Sequence, residues 1–250
     1  MDWAPGYREF APPSRFSGAL HCLWVSVVPG TGQPAPELVL PDGCTDLIWR
    51  SGSGAFVAGP DTQPNPFTRP PGEVLVGARF LPGAGGAALG VPLSELLNLR
   101  VDASDLPGVP ASRLPGGLEP AEAVRRVARA AAGLVTERPP DTLVLEAARR
   151  LGQPGARADL VAAGLGVSER QLRRRCQAAV GYGPRTLARV LRFRRFLSRV
   201  DAGEALDLAA VAADVGYADQ AHLSRESTRL AGLPPAALAR ARRQPQPGRL

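Results

Sequence analysis

Residues 166–197 read GVSERQLRRRCQAAVGYGPRTLARVLRFRRFL and residues 207–228 read DLAAVAADVGYADQAHLSREST. Both stretches carry the same order of signals: a short apolar helix, a glycine, a capping residue and a second helix. In the first, Asp159 to Leu165 is the apolar helix, and Gly166 tolerates the left-handed backbone that ends it. The Ser168 hydroxyl then accepts from the free N–H groups of a helix starting at Glu169. In the second, Leu206 to Val215 is the apolar helix, Gly216 and Tyr217 make the turn, and Asp219 caps a helix starting at Gln220. Two turn-separated helix pairs, at about 159–180 and 207–230, are therefore predicted, repeating at a spacing of about 50 residues.

The second helix of the first pair puts Leu172 and Cys176 on one face, four residues apart, and Arg170, Arg173, Arg174 and Arg175 around the rest. A run of arginines on a helix is most often a solvated face. The turn in front of this run tips the reading toward contact with a polyanion. Between the pairs, Arg185 to Val200 predicts a connecting helix roughly 24 Å long at about 1.5 Å per residue. Its apolar positions are Leu187, Val190, Leu191, Phe193, Phe196 and Leu197. Such a connector suits two reading units spaced near the ~34 Å of one DNA turn. In the second pair, Gln220, Ser224 and Arg225 supply groups matched to adenine edges, phosphates and guanine edges. His222 is read as a packing or phosphate-contacting residue rather than a metal ligand.

Charge is divided along the chain in the same sense. Residues 1–150 hold 13 Arg against 15 acidic residues, and residues 151–250 hold 17 against 8, so the +7 of the whole splits into −2 and +9. A basic half joined to a near-neutral one points to a polyanionic partner for the former, with DNA the leading candidate. Every basic side chain is Arg, a bias of a kind that genome composition produces. An apolar fraction of 44% with 21% charged residues is that of a folded protein. Cys22, Cys44 and Cys176 have no short paired spacing, so no structural disulfide is expected. Met1 to Phe10 has no leader pattern, and the apolar run Leu20 to Val28 is too short for a bilayer. A cytoplasmic chain with no membrane partner is the expectation.

Upstream, Leu20–Val28, Glu37–Leu40, Thr45–Trp49, Ala55–Ala58 and Val74–Leu81 read as strands separated by Pro and Gly clusters. Leu93, Leu96, Leu97 and Leu99 suggest a helical turn or two packed on them. Glu122 to Val135 has helical spacing and is read as a linker or dimerisation helix. The expected architecture is α+β in two domains. Residues 1–108 form a β-rich barrel or sandwich with a few helices and a sensory or dimerisation role, and 109–140 form a linker with a helix. Residues 141–250 form an all-α domain whose two helix-turn-helix motifs are joined by a long helix.

The two quoted stretches, with AGLPPAALAR at 231–240, resemble the AraC/XylS family of transcription regulators over roughly residues 141–240. The resemblance implies a DNA-binding domain that inserts two recognition helices into adjacent major grooves of an operator. By position it makes Arg170, Arg173 and Arg174 the base or phosphate contacts of the first helix, and Gln220, Ala221, Ser224 and Arg225 those of the second. Two positions depart from the family pattern, Cys176 and Ser227, where an aromatic residue is usual. A large-to-small change in a core costs on the order of 3 to 5 kcal/mol, so the second unit is expected to pack loosely and Ser227→Phe to raise the melting temperature. PDGCTDLIW at 41–49, with Gly59-Pro60 and 78–83, is similar to the small β domain that precedes some family members. Further partners the resemblance allows are RNA polymerase, a small-molecule effector and a second copy of the chain.

Asp42, Asp46 and Arg79 are the candidate ligand-binding residues of that β domain, although turn formation explains the two aspartates more simply. For Arg79 an internal partner such as Asp46 ranks ahead of an anionic ligand. A metal-dependent enzyme needs several His or carboxylate ligands, and His21 is the only histidine of the N-terminal half. There is also no nucleophile elbow or phosphate-binding loop. No catalytic residue, metal or cofactor is expected. The remaining alternatives are a nonspecific or architectural DNA binder, and a protein-interaction module whose second helix pair has degenerated.

Overall fold

The computed structural model describes residues 4–203 and 207–243. Eight strands occupy the N-terminal part: β1 (Gly6–Phe10), β2 (Leu20–Val27), β3 (Ala35–Val39), β4 (Thr45–Arg50), β5 (Gly54–Ala58), β6 (Asn65–Arg69), β7 (Val74–Phe80) and β8 (Arg100–Asp102). Six of them form one antiparallel sheet in the order β1-β2-β7-β4-β5-β8, while β3 and β6 pair as a second, smaller sheet. Both sheets are open, so the sandwich alternative is the one that forms. The central strands are buried almost continuously because both faces are covered. The three strands that sequence reading did not find have weak signals. β1 sets the charged pair Arg8-Glu9 between Tyr7 and Phe10 at an edge, β6 contains Pro66, and β8 has three residues.

One face of the large sheet packs on α2 (Pro120–Glu137), which buries Ala123, Val127, Ala130, Ala131 and Leu134. The helix expected in the linker is thus fastened to the sheet, its alanines allowing the helix backbone close to β7. Burying Val127 and Leu134 there is worth roughly 1.5–3 kcal/mol each. The smaller sheet lies over the opposite face and is pinned by Arg69, which is fully buried. Its guanidinium donates to Ser26 Oγ (2.6 Å) on β2, to Glu37 (3.0 Å) on β3, and to Glu73 (2.8 Å). Burial outweighs this arginine at Glu37 and pushes its carboxyl up to about 7.

A short helix, α1 (Gly85–Leu89), precedes a 3-10 turn at Leu93–Glu95. The C-terminal part is helical: α3 (Thr142–Leu151), α4 (Ala158–Gly164), α5 (Glu169–Val180), α6 (Pro184–Asp201), α7 (Leu208–Val215), α8 (Gln220–Ala231) and α9 (Pro235–Arg243). The expected helical residue Leu206 lies outside the described residues. One core, including Val144, Leu151, Leu172, Phe193, Phe196, Leu223, Leu230 and Leu238, runs through all of these helices.

The two parts meet closely. A Cβ on Gly86 of α1 would lie 2.6 Å from the Ala178 carbonyl oxygen of α5, so only glycine allows this approach. Gly181, which ends α5 with φ +92°, faces Pro60 and the Leu93 backbone at a similar distance. Among the described residues no helix is long and apolar enough to cross a membrane. Cys22, Cys44 and Cys176 are buried free thiols.

Candidate functional site

The first helix pair consists of α4, a turn through Gly166 (φ +69°) and α5. Ser168 Oγ accepts from Gln171 N while the Gln171 side chain accepts from Ser168 N, a reciprocal capping box that supports the start of α5. Leu172, Cys176, Ala179 and Val180 are buried, and burial pushes the Cys176 thiol up to about 12. Arg170, Arg173, Arg174 and Arg175 are exposed. Arg175 is spent internally, on Asp141 at 2.7 Å, and that aspartate also caps α3. Arg170, Arg173 and Arg174 have no hydrogen bond or ion pair among the described residues, leaving three solvated guanidiniums near the N-terminal half of the helix.

The second pair is α7, a turn through Gly216 (φ +89°) and α8, with Asp219 Oδ1 accepting from His222 N at 2.6 Å. Gln220, Ala221 and Arg225 are exposed, and Ser224 is half-buried beside them. His222 packs edge-on against the Tyr217 ring and accepts weakly from Ala218 N, so its ring serves the turn.

Ser227 corrects the expectation of loose packing. It is fully buried and its hydroxyl donates to the Leu233 carbonyl at 2.7 Å, tying α8 to the turn before α9. A buried polar group with its partner in place is a built feature, and an aromatic side chain there meets a filled core. Ser227→Phe is accordingly expected to lower stability.

The connector α6 does more than its apolar pattern announces. Arg195 turns inward and donates to the Gly152 carbonyl at the end of α3 and to the Val215 carbonyl (2.7 Å) at the end of α7. Arg189 pairs with Glu226 of α8 at 3.4 Å, and Arg192 lies over the Tyr217 ring. Its arginines therefore hold the second unit and the end of α3 to the connector. Arginine in an amphipathic pattern reads as surface, and only the fold reveals these inward turns.

Asp42, Asp46 and Arg79 come together. Arg79 Nε lies 3.1 Å from Asp46 Oδ1 and 3.8 Å from Asp42 Oδ2. Asp46 Oδ1 also accepts from Trp24 Nε1 at 2.7 Å, and Asp42 Oδ1 accepts from Cys44 N in an Asx turn. Burial outweighs Arg79 in setting Asp46 and raises its carboxyl above the ordinary range. Asp46 and Arg79 line a cavity of about 360 Å³ between the two sheets, whose walls include Trp24, Ile48, Phe56 and Phe67. The Trp24 ring lies directly over Gly77, where any side chain would collide with it.

One cluster escaped sequence reading. A register shift between Leu20 and Cys22 on β2 brings ligand atoms of Glu9, His21 and Cys22 within 4.8 Å of one another. Arg194 Nη2 stands 3.0 Å from His21 Nε2, and Arg79 lies 3.8 Å from Glu9. Burial and then Arg194 hold His21 below its ordinary range. Two guanidiniums occupy the place where a cation would gain most.

Residues 161–241 match the family described as "Helix-turn-helix domain" and residues 8–102 that described as "Domain of unknown function (DUF6597)". No curated protein matches the chain's sequence. Among solved structures the chain is similar to ToxT from Vibrio cholerae O395, at 11% identity over 89% of this chain and 99% of that one, with a TM-score of 0.46. It is also similar to ToxT from Vibrio cholerae strain SCE256 in its unsaturated-fatty-acid-bound form, at 12% identity over 92% and 96%, with a TM-score of 0.44. Likeness at this level transfers no residue and no ligand. The C-terminal part is a helix-turn-helix domain, in keeping with its two turn-separated helix pairs.

Proposed function

We propose that this protein reads a specific operator by laying α5 and α8 into successive major grooves of duplex DNA. The observation that carries the reading is the pairing of two capped helices, each buried on one face, whose opposite faces present Arg170, Arg173 and Arg174 on one and Gln220, Ala221, Ser224 and Arg225 on the other. The arginines supply charge and bidentate reach to guanine and phosphate, and Gln220 suits adenine. The N-terminal half, with its cavity between the two sheets, acts as the sensing half for a small-molecule effector. Such a protein works where the chromosome is, in the cytoplasm.

Selection of genomic fragments by the purified protein at two salt concentrations tests this. A shared motif with two half-sites about one helical turn apart, surviving moderate salt, is expected. Retention that is blind to sequence and collapses with salt would reduce the protein to a nonspecific basic binder.

A further inference from the structure

Strand register arranges the cavity floor in rows. Cys22, Arg79, Asp46, Ala58 and Arg100 stand side by side across β2, β7, β4, β5 and β8, and the next row is Trp24, Gly77, Ile48, Phe56 and Asp102. The first row is mostly polar, and the second is apolar apart from Asp102 at its β8 end. The polar row lies at the end of the sheet from which two loops leave toward the DNA-binding part. One is Asp42–Cys44, just before β4, and the other is Gly59–Asp61, just after β5. Both loops touch the turn that ends α5. A Cβ on Gly43 would lie 3.6 Å from the Tyr182 hydroxyl and 3.5 Å from Leu187, and Pro60 faces Gly181.

Three arginines line the cavity: Arg50 lies over the Phe56 ring and pairs with Glu73 at 3.4 Å, while Arg79 and Arg100 are tied to these loops with unequal strength. Arg100 is saturated: it holds Asp61 at 2.6 and 3.1 Å and donates to the Leu99 carbonyl. It also reaches the amide oxygen of Asn65, oriented to accept, at 2.7 Å. Arg79 donates only through Nε, to Asp46, and its terminal amino groups make no hydrogen bond among the described residues. Its link to Asp42, at 3.8 Å, is loose, and Asp42 is partly open to solvent. Arg79 therefore has terminal donors held only by a loose 3.8 Å ion pair to exposed Glu9, beside a space walled in part by Trp24, Ile48, Phe56 and Phe67, whereas Arg100 has none to spare.

We propose that the cavity binds a small organic anion with an apolar body, its charged group on the free guanidinium edge of Arg79. The bound anion competes with Asp42 for that arginine and repels its carboxylate. This loosens the Asp42–Cys44 loop from Tyr182, just past the end of the first reading helix, and from Leu187 on α6, while the Arg100–Asp61 pair keeps the other loop fixed. The inference rests on the N-terminal half being the sensing half.

The test uses two fluorescent probes of one shape, 8-anilinonaphthalene-1-sulfonate and its uncharged parent N-phenyl-1-naphthylamine, with the full chain and no DNA present. The sulfonate is expected to bind at least ~10-fold more tightly than the neutral probe, a difference of about 1.4 kcal/mol. Ala58→Leu, which fills the polar row, should reduce binding of both. The paired variant Arg79→Met with Asp46→Asn leaves no buried charge unpaired, and should bring the sulfonate down to the neutral probe. Hydrogen exchange should then rise at least ~3-fold at residues 42–44 and 181–183 with the sulfonate bound, and stay unchanged at 59–61. Equal affinity for the two probes, or binding indifferent to Ala58→Leu, overturns the site. Tight sulfonate binding with unchanged exchange at 42–44 and 181–183 overturns the relay. Since operator binding is measured separately, failure here leaves the DNA reading standing.

Discussion

The two helix-turn-helix units share one grammar and are built into the protein differently. The first is arginine-rich, begins with a reciprocal capping box, and presses the end of its reading helix onto the N-terminal part through Gly86 and Gly181. The second has a single Asp219 cap, a mixed polar reading face and a buried serine where bulk was expected, and it hangs on α6 and α9. One unit is pressed tightly onto the N-terminal part and carries most of the charge. The other meets that part only loosely, at Gly232 beside Pro64, so on the proposed reading a signal from the N-terminal half would reach the DNA mainly through the first unit.

The comparison breaks most easily at Ser227. Ser227→Phe should destabilise the protein by about 3 kcal/mol through overpacking and the orphaned Leu233 carbonyl, with Ser227→Ala costing roughly 1–3 kcal/mol. Urea titration checks both, and a stabilised Phe variant would restore the view of a loosely packed second unit. Next comes the interdomain contact. Gly86→Ala should cost roughly 1–3 kcal/mol of overpacking and raise hydrogen exchange in α5 while leaving α8 unchanged, and equal change in both helices would show the units to be coupled alike.

Arg173→Ala and Arg174→Ala should each weaken operator binding by about 1–3 kcal/mol and flatten its salt dependence, whereas Gln220→Ala should mainly relax base preference. Titration across salt concentrations separates these outcomes, and an identical salt slope for all three variants would erase the proposed division of labour. The smallest effect concerns pH. Glu37, in the half that holds the first unit, has its carboxyl raised from 4.5 to about 7, so its favourable contribution is complete below pH 4.5 and is lost as pH rises through about 7. Glu37→Gln should flatten the stability profile over that window, and an unchanged profile would assign the slope elsewhere.

Much of this was legible in the sequence where the signals are local. Gly166, Ser168, Gly216 and Asp219 announce the turns and caps within a few residues of where they act. Strands β2, β4, β5 and β7 announced themselves by apolar runs. What stayed hidden depends on residues far apart in the chain. Arg69 gathers Ser26, Glu37 and Glu73 from separate strands, and Gly86 matters only because Ala178 lies against it. The Ser227 expectation went astray for the same reason. Its partner, Leu233, stands beyond the end of the helix, so residue size alone misjudged the site.

The inward Arg195 gives the reader a fixed gauge. By gripping the ends of α3 and α7 from α6, it ties the second unit to the connector and to the helix that precedes the first unit. On the proposed reading, one base pair inserted between the half-sites turns the second by roughly 35° about the duplex axis, at about 10–10.5 base pairs per turn. A supple connector would follow that rotation more readily than a gripped one, so on that reading operator binding should fall as the half-sites move out of phase.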